Sequence, residues 1–200
     1  MKTHYRRHSR KLNKRQASLV TTLIVAILMA FFGKDAMTPQ NQTVIHQNNP
    51  GNYKVVEFYD GDTIAVNMNG VKEKVRLIGV DTPETHDPRK AVQCFGQAAS
   101  DFTKRTIGDS ALRLEADPIN QNRDRYNRLL RYVYLPDGRL LNAEIIKQGY
   151  GFAYLSFPFT KSDEFRKYQT EARESNLGLW SSCQPQQNEF GGYTSNDVTQ

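Results

Sequence analysis

The sequence predicts a small five-stranded β-barrel with three helices, preceded by one N-terminal helix that anchors the chain in a membrane. Two patterns support this prediction. An uncharged apolar run follows a basic segment at the start of the chain. Further along, three strand-like segments separated by short turns are followed by a helix pattern, two more strand-like segments and two helix patterns. Alternating apolar and polar residues indicate strands, whereas apolar residues three and four positions apart indicate helices.

The N-terminal anchor is indicated by charge and hydropathy together. Residues 1–16 contain seven Lys and Arg and no acidic residue, and the apolar run 17–33 follows. This order is typical of a secretory signal or a signal anchor, and the run is close to the shortest spanning length of about 17 residues. Because no small-residue cleavage site follows Ala30, an uncleaved anchor is favoured over a cleaved signal peptide, which would leave a secreted protein. The positive-inside rule then predicts a cytoplasmic tail and an extracytoplasmic domain on the cell membrane.

The charge of the chain is unevenly distributed. The 27 Lys and Arg exceed the 21 Asp and Glu by six, but residues 17–200 alone carry a net charge of −1. The excess of positive charge therefore belongs to the tail and does not by itself indicate a nucleic-acid-binding domain. With 38% hydrophobic and 24% charged residues, the chain is neither wholly disordered nor a polytopic membrane protein.

The middle of the chain is the folded domain. Residues 34–52 are rich in Asn, Gln and Thr and predict a linker, and residues 184–200 have a similar composition and predict a flexible tail. One domain, taken to be monomeric, is then left over residues 53–183. Its cysteines are Cys94 and Cys183, and in an exported protein an even pair favours a disulfide over two free thiols.

The first half of this domain predicts a meander of three strands. Tyr53–Tyr59 is rich in β-forming residues and ends at an Asp-Gly pair. Thr63–Met68 alternates, and the Asn-Gly pair after it is a strong hairpin signal. Val71–Val80 continues the alternation as the third strand.

The second half adds helices and two more strands. Phe95–Ile107 has helical spacing, Ala111–Ala116 and Leu129–Leu135 alternate as strands, and Leu141–Gln148 and Ser162–Asn176 predict two more helices. Three strands in a meander, a helix and two further strands fit a five-stranded Greek-key barrel of the OB type. The helices would cover the open side of this barrel.

Acidic residues lie at two ends of the predicted meander. Asp60 and Asp62 precede the second strand, and Asp81 and Glu84 follow the third. Taken alone, each pair favours turn capping. Because an antiparallel hairpin puts the start of the second strand beside the end of the third, Asp62 and Asp81 can converge. Their oxygens are hard ligands suited to Ca²⁺ or Mg²⁺, and no His or Cys set has the spacing of a zinc site.

Arginines can supply the counter-charge that such an acidic cluster needs. Arg76 lies five residues before Asp81, and a second arginine can come from residues 123–128, just before the fifth strand. A guanidinium fork matches the oxygens of a phosphate better than an ammonium does. Two arginines and a cation-binding set of carboxylates together describe a phosphodiester site.

In these segments the sequence resembles the staphylococcal (micrococcal) nuclease, or thermonuclease, family. The matching segments are YDGDTIAV (59–66), VRLIGVDTPET (75–85), CFGQAASDFTK (94–104), DRYNRLLRYVYL (124–135), LNAEIIKQGYG (141–151) and NLGLW (176–180). They occur in the order of the family over about 130 residues. The resemblance implies an OB barrel with three helices and Ca²⁺-dependent hydrolysis of DNA and RNA phosphodiesters to 3′-phosphorylated products.

The resemblance also implies roles at the acidic cluster. Asp62 and Asp81 match the carboxylates that bind calcium directly, and Thr82 matches the residue that offers a backbone carbonyl to the metal. Asp60 matches an acid close to the metal. Glu84 matches the proposed general base for the attacking water.

Further implied roles concern the substrate. Arg76 and Arg128 match the arginines that clamp the phosphate in catalysis. Arg125 and Tyr126 match residues that hold the 3′-side phosphate of a bound nucleotide. Tyr154 falls near an aromatic residue that stacks or hydrogen-bonds on the nucleotide.

One residue departs from the family near the site. Asn127 stands where the family usually has glycine, and among other residues Asn best tolerates the left-handed conformation.

An alternative function is a catalytically inactive OB module that binds nucleic acid or protein. The enzyme is favoured because the chain keeps the set Asp62, Arg76, Asp81, Glu84 and Arg128 together.

Overall fold

The computed structural model of the chain describes residues 51–85, 92–189 and 192–197. Within these residues the strands are β1 (Gly51–Phe58), β2 (Thr63–Met68), β3 (Val71–Leu77), β4 (Val80–Asp81), β5 (Ala111–Glu115), β6 (Leu129–Tyr134), β7 (Phe152–Ala153), β8 (Gln186–Gln187) and β9 (Tyr193–Thr194). The helices are α1 (Gly96–Ile107), α2 (Leu141–Lys147), α3 (Ser162–Glu174) and the short α4 (Leu179–Ser182). The three longer helices are those that the sequence predicts.

Five of the strands close into a barrel in the order β1, β2, β3, β6, β5. β2 pairs antiparallel with β1 and β3, β6 runs parallel to β3, and β5 pairs antiparallel with β6 and β1. A closed barrel leaves none of these strands with an unpaired edge. The predicted five-stranded barrel with its covering helices is confirmed.

The β2–β3 hairpin has the register on which the site depends. Asn69 and Gly70 have φ angles of 54° and 88°, as a two-residue turn between twisted strands requires. The register pairs Met68 with Val71 at the turn and Thr63 with Arg76 at the far end. The start of β2 therefore lies beside the end of β3.

The core fills the barrel and continues under the helices. Buried residues of the strands include Ile64, Val66, Val75, Leu77, Leu112, Leu129 and Val133, and α2 and α3 add Ile145, Ile146 and Phe165. Buried Asn142 ties α2 to the barrel, since it accepts a hydrogen bond from the Val133 N–H and donates one to the Ile78 carbonyl, both at 2.9 Å. This polar link satisfies backbone groups that would otherwise be buried unpaired.

The third strand differs from the prediction, which extends it to Val80. β3 ends at Leu77 because the chain turns at Gly79, whose φ of 70° favours glycine. Val80 and Asp81 form the separate strand β4, in which Asp81 pairs with Phe152 of β7. The turn therefore places Asp81 beyond the end of β3, in the separate β4–β7 pair.

The end of the chain differs from the predicted flexible tail. β8 pairs with β9, and the ring of Tyr193 lies 4.9 Å from that of Trp180 and 6.3 Å from that of Phe152, measured between ring centroids. Aromatic packing stabilises a segment whose composition is mainly polar, so composition alone assigns it incorrectly. We call residues 192–197 the C-terminal strap.

A disulfide joins Cys94, which immediately precedes the α1 region, to Cys183 at the end of α4. The S–S distance is 2.10 Å and the Cα atoms are 5.7 Å apart. The bond links two parts of the chain that are 89 residues apart in sequence.

The predicted basic tail 1–16, the anchor 17–33 and nearly all of the linker 34–52 lie outside the described residues. Among the helices that the structure describes, none is both long enough and apolar enough to cross a bilayer. The described residues all belong to one compact unit.

Candidate active site

The turn between β1 and β2 presents Asp60 and Asp62. The Asp62 N–H donates to Asp60 Oδ1 at 3.1 Å, and Thr63 Oγ1 donates to Asp62 Oδ1 at 2.9 Å. Asp62 is only 4% exposed. Gly61 lies between them, and a Cβ atom there would be 2.8 Å from the Thr82 methyl group. The absence of a side chain at this position lets the turn approach the loop after β4.

Asp62 is hydrogen-bonded directly to that loop. The Thr82 N–H donates to Asp62 Oδ2 at 2.8 Å, and Thr82 Oγ1 contacts the same oxygen at 3.2 Å. The structure therefore brings together the two acidic segments that the hairpin argument places side by side.

Arg76 bridges the two segments electrostatically. Its Nη1 lies 2.5 Å from Asp62 Oδ2 in an ion pair without hydrogen-bond geometry, and its Nη2 donates to Asp81 Oδ1 at 2.9 Å. Burial alone would lower the pKa of Arg76. The negative charges of Asp62, Asp81 and Asp60 outweigh that effect and raise the pKa above its usual value.

The pKa of Asp60 indicates that the carboxyl groups of the cluster carry more negative charge than the single guanidinium of Arg76 neutralises. Burial, followed by the negative charge of Asp62, raises the pKa of Asp60 to about 8. Three carboxyl groups therefore share the surroundings of Arg76, and a cation would stabilise their ionised forms.

The donor set fits a hard divalent cation. Asp62, Asp81 and Thr82 offer oxygen atoms, the donors that Ca²⁺ and Mg²⁺ prefer. Asp81 keeps 46% of its side chain exposed, so the cluster opens to solvent. Over residues 51–85, 92–189 and 192–197 no three acidic, His or Cys side chains are gathered closely enough to form a complete metal site.

Glu84 lies in the same loop, three residues after Asp81. Its Oε1 accepts a hydrogen bond from the Thr85 N–H at 2.8 Å. Its backbone N–H donates to Gln93 Oε1, and its carbonyl accepts from the Gln93 N–H, both at 2.9 Å. The backbone of Glu84 is thus fixed by a residue that lies nine positions further along the chain.

Arg128 belongs to a second group of residues, in the loop before β6. Its Nε donates to Asp124 Oδ2 at 2.6 Å, and its N–H donates to Asp124 Oδ1 at 2.9 Å. Arg128 immediately precedes Leu129, which pairs with Val75, so it enters the strand that neighbours Arg76. Arg128 therefore lies in the loop just before the strand that neighbours β3, and its side chain is paired with Asp124.

The loop that holds Arg128 tolerates Asn127 in place of glycine. Asn127 has a φ of 63°, and its N–H donates to the Asp124 carbonyl at 2.9 Å. Beside it, Arg125 Nη2 donates to the Tyr126 hydroxyl at 2.7 Å, and Tyr126 is 64% exposed. Both predicted substrate contacts are therefore at the surface beside Arg128.

Tyr154 follows β7, the strand that pairs with β4. Its N–H donates to the Gly79 carbonyl at 2.9 Å. The ring is exposed and lies 5.9 Å from that of Phe157, which is also exposed. Tyr154 and Phe157 therefore form an exposed aromatic pair in the segment that follows Phe152, the residue that pairs with Asp81.

Sequence reasoning missed two residues that support the site. Gln93 is hydrogen-bonded to the Glu84 backbone, and Thr103 of α1 donates to the Gly61 carbonyl at 2.6 Å. Each contact joins residues that are separated in sequence, and no periodic pattern in the sequence predicts that they meet. The one local hint is that Thr103 is a polar residue on the buried face of a helix.

A closed barrel with a solvent-open carboxylate cluster bridged by arginine is the arrangement expected of a phosphodiester-cleaving enzyme, and comparison with known proteins identifies the class as a nuclease. The chain belongs to the Staphylococcal nuclease homologue family, whose model matches residues 74–182. It is 36% identical to the thermonuclease of Staphylococcus hyicus, over 82% of this chain and 95% of that protein. It is 35% identical to the thermonuclease of Staphylococcus intermedius, over 81% of this chain and 94% of that protein.

A third relative is the endonuclease YncB of Bacillus subtilis, which is 44% identical over 61% of this chain and 58% of that protein. The chain is therefore a nuclease, a hydrolase that acts on the phosphodiester bonds of nucleic acid. These relatives do not favour the alternative of an inactive binding module.

Proposed function

We propose that the chain is a Ca²⁺-dependent endonuclease that hydrolyses DNA, RNA or both to 3′-phosphorylated products. The observation that supports this proposal is the Arg76 bridge between Asp62, in the turn before β2, and Asp81, in β4. The residues that would hold the cation are Asp62, Asp81 and the Thr82 carbonyl, with Asp60 close by.

The reaction requires three contributions at one place. Water is a weak nucleophile, the phosphodiester is an anion, and negative charge grows on the phosphoryl oxygens in the transition state. A bound Ca²⁺ would act as a Lewis acid on a phosphate oxygen. The base and the positive charge must come from side chains.

Glu84 is the proposed base. It takes a proton from the attacking water as the new P–O bond forms, and the bond to the 5′-oxygen breaks. The leaving 5′-oxygen takes up a proton from solvent water to become a 5′-hydroxyl, and the phosphate stays on the 3′-oxygen of the other product.

Arg76 and Arg128 supply the positive charge. Each guanidinium can donate two parallel hydrogen bonds to phosphoryl oxygens, which stabilises the additional negative charge of the transition state. Arg125 and Tyr126 would hold the 3′-side phosphate of the bound nucleotide, and Tyr154 would stack or hydrogen-bond on the nucleotide.

The test uses the full chain with plasmid DNA and with RNA, in Ca²⁺, in Mg²⁺ and in EGTA. Ca²⁺ supports cleavage, and Mg²⁺ alone supports little because it demands a stricter octahedral geometry. Glu84→Gln keeps substrate binding but lowers kcat by about 10²–10⁴, the usual contribution of a general base. Equal cleavage in EGTA, or a Glu84→Gln variant as active as wild type, contradicts the proposal.

The nuclease is also proposed to work outside the cytoplasm, tethered through residues 17–33 or secreted after their cleavage. Support comes from the seven cations of residues 1–16 and from the Cys94–Cys183 disulfide, since disulfides persist in oxidising compartments. A reporter that is active only in the cytoplasm, fused to the C-terminus, should remain silent. A strong reporter signal contradicts this location.

A further inference from the structure

Gln93 makes a reciprocal pair of hydrogen bonds with Glu84. The Glu84 N–H donates to Gln93 Oε1 and the Gln93 N–H donates to the Glu84 carbonyl, each at 2.9 Å. The pair fixes both backbone polar groups of Glu84. Because the Glu84 side chain starts from this backbone, its position depends on where Gln93 is held.

Gln93 is itself held by the C-terminal strap. It forms an isolated antiparallel bridge with Asp197. At the next position, the Cys94 N–H donates to the Asn196 carbonyl and the Cys94 carbonyl accepts from Ser195 Oγ, both at 2.7 Å. The disulfide to Cys183 adds a covalent link, and Asn196 Nδ2 donates to the Cys183 carbonyl at 3.1 Å.

Helix α1 limits the Glu84 backbone from a second side. A Cβ atom at Gly96, the first residue of α1, would lie 2.9 Å from the Glu84 carbonyl oxygen and 3.1 Å from that of Pro83. The helix therefore packs directly against the loop backbone. Gly96 also donates its N–H to the Gln93 carbonyl at 3.0 Å, so the segment from Gln93 to Gly96 is one support for Glu84.

We propose that Gln93 is a positioning residue for Glu84, held in place by the disulfide and the C-terminal strap. The inference rests on the proposed function, because it takes Glu84 as the base. A general base must meet its proton at hydrogen-bond distance, and a displacement of about 1 Å can lower the rate about 100-fold. The amide of Gln93 acts on catalysis through Glu84 and makes no contact with the substrate.

The test compares full-chain variants in a steady-state assay with Ca²⁺ and a defined DNA substrate. Gln93→Met keeps the length of the side chain but removes its acceptor, and it should lower kcat about 10- to 100-fold with KM unchanged. Gln93→Glu keeps an acceptor and should retain kcat within about threefold of wild type. Gln97→Met is the matched control, because Gln97 of α1 is exposed and its side chain donates a hydrogen bond to Asp101 of the same helix, and its kcat should stay at the wild-type value.

A double-mutant cycle separates positioning from a general loss of structure. In the Glu84→Gln background, Gln93→Met should lower kcat by less than about twofold, because the base through which it acts is already gone. A full additional loss in that background overturns the inference, as does a Gln93→Glu variant as impaired as Gln93→Met. Should Gln93→Met fail to fold, Gln93→Ala, which also removes the acceptor, takes its place with the same expected loss of kcat and the same cycle with Glu84→Gln.

Loss of the proposed function and loss of the positioning role give different results in these assays. If Glu84→Gln is as active as wild type, the proposed function loses its base. If Glu84→Gln is impaired but Gln93→Met retains wild-type kcat, the proposed function stands and only the positioning role is overturned.

Discussion

At the scale of single residues, the electrostatics of the site centre on Arg76. The guanidinium has two separate nitrogen atoms on two separate carboxylates, at 2.5 Å from Asp62 and 2.9 Å from Asp81. An ammonium is a compact point charge and cannot reproduce that planar fork. The contact thus holds together the two segments that carry Asp62 and Asp81.

We expect Arg76→Lys to lower kcat by about 10²–10³, the usual cost of removing one preorganised donor from a site of this kind. Arg139→Lys is the matched control, because Arg139 is exposed and pairs with Asp137 at the surface. Steady-state rates on DNA measure the effect, and thermal unfolding shows whether each variant is folded. Wild-type kcat in folded Arg76→Lys would remove the arginine from the proposed mechanism.

Some residue contacts could be predicted from the sequence and others could not. The meeting of Asp62 and Arg76 follows from a local signal, because an Asn-Gly turn fixes the register of a short hairpin, whereas the place of Asp81 also depends on the turn at Gly79. The pairing of Arg128 with Asp124 depends instead on the left-handed conformation of Asn127. Side-chain choices of this kind are decided by the folded loop rather than by any periodic pattern.

At the scale of elements, α1 is the common support of the two acidic loops. Thr103 donates to the Gly61 carbonyl in the turn before β2, and Gly96 packs against the Glu84 carbonyl in the loop after β4. The helix itself was predictable from its spacing of apolar residues. Its polar and glycine contacts were not, because they depend on how the helix docks.

A second junction ties the loop after β5 to the segment before α3. Asp117 is 1% exposed, and its Oδ2 accepts hydrogen bonds from the Tyr132 hydroxyl at 2.6 Å and the Thr160 N–H at 2.7 Å. Its Oδ1 accepts from the Ile119 N–H at 2.9 Å. Burial would raise the pKa of Asp117, but the hydrogen bonds from Thr160 and Tyr132 hold it below its ordinary value.

The pKa of Asp117 is lower in the folded chain than in the unfolded chain. Ionised Asp117 therefore stabilises the fold at pH values above about 4, the pKa of an Asp side chain in the unfolded chain. That contribution is lost as the pH falls below about 4, through the folded pKa. We expect Asp117→Asn to reduce the free energy of unfolding by about 1–3 kcal/mol at pH 7 and by less in strong acid. Urea unfolding across pH measures this, with exposed Asp109→Asn as the control. An equal loss at every pH would contradict the assignment.

At the scale of the whole molecule, the disulfide and the C-terminal strap connect the end of the chain to the start of α1. The presence of two cysteines favoured a bridge from composition alone, but the strap had no such signal. Its contacts to Cys94 and Trp180 are long-range, and a polar segment with one packed tyrosine resembles a loose tail in sequence. The strands and helices were predictable where a local periodic pattern specifies them. The packing of the C-terminal strap was not, because no such pattern marks it.

We expect reduction of the disulfide to lower the free energy of unfolding by about 2–5 kcal/mol, because the bond closes a long loop in the unfolded chain. Calorimetry with and without a phosphine reductant measures the shift in Tm. The Cys94→Ala/Cys183→Ala variant is the control, since its Tm should be low and should not respond to the reductant. A wild-type Tm unchanged after verified reduction would contradict this expectation.

The central claim is that the carboxylates bridged by Arg76 hold the cation on which nucleolytic cleavage depends, and its most direct test is the rate of DNA cleavage as a function of free Ca²⁺. We expect Asp81→Ala to raise the midpoint, the free Ca²⁺ concentration at half-maximal rate, at least about tenfold, because a loss of about 1.4 kcal/mol in Ca²⁺ binding free energy has that effect. The rate should be partly recovered at saturating Ca²⁺. Exposed Asp137→Ala is the control and should leave the midpoint unchanged. An unchanged midpoint in Asp81→Ala, or wild-type cleavage that does not depend on Ca²⁺, would contradict the account.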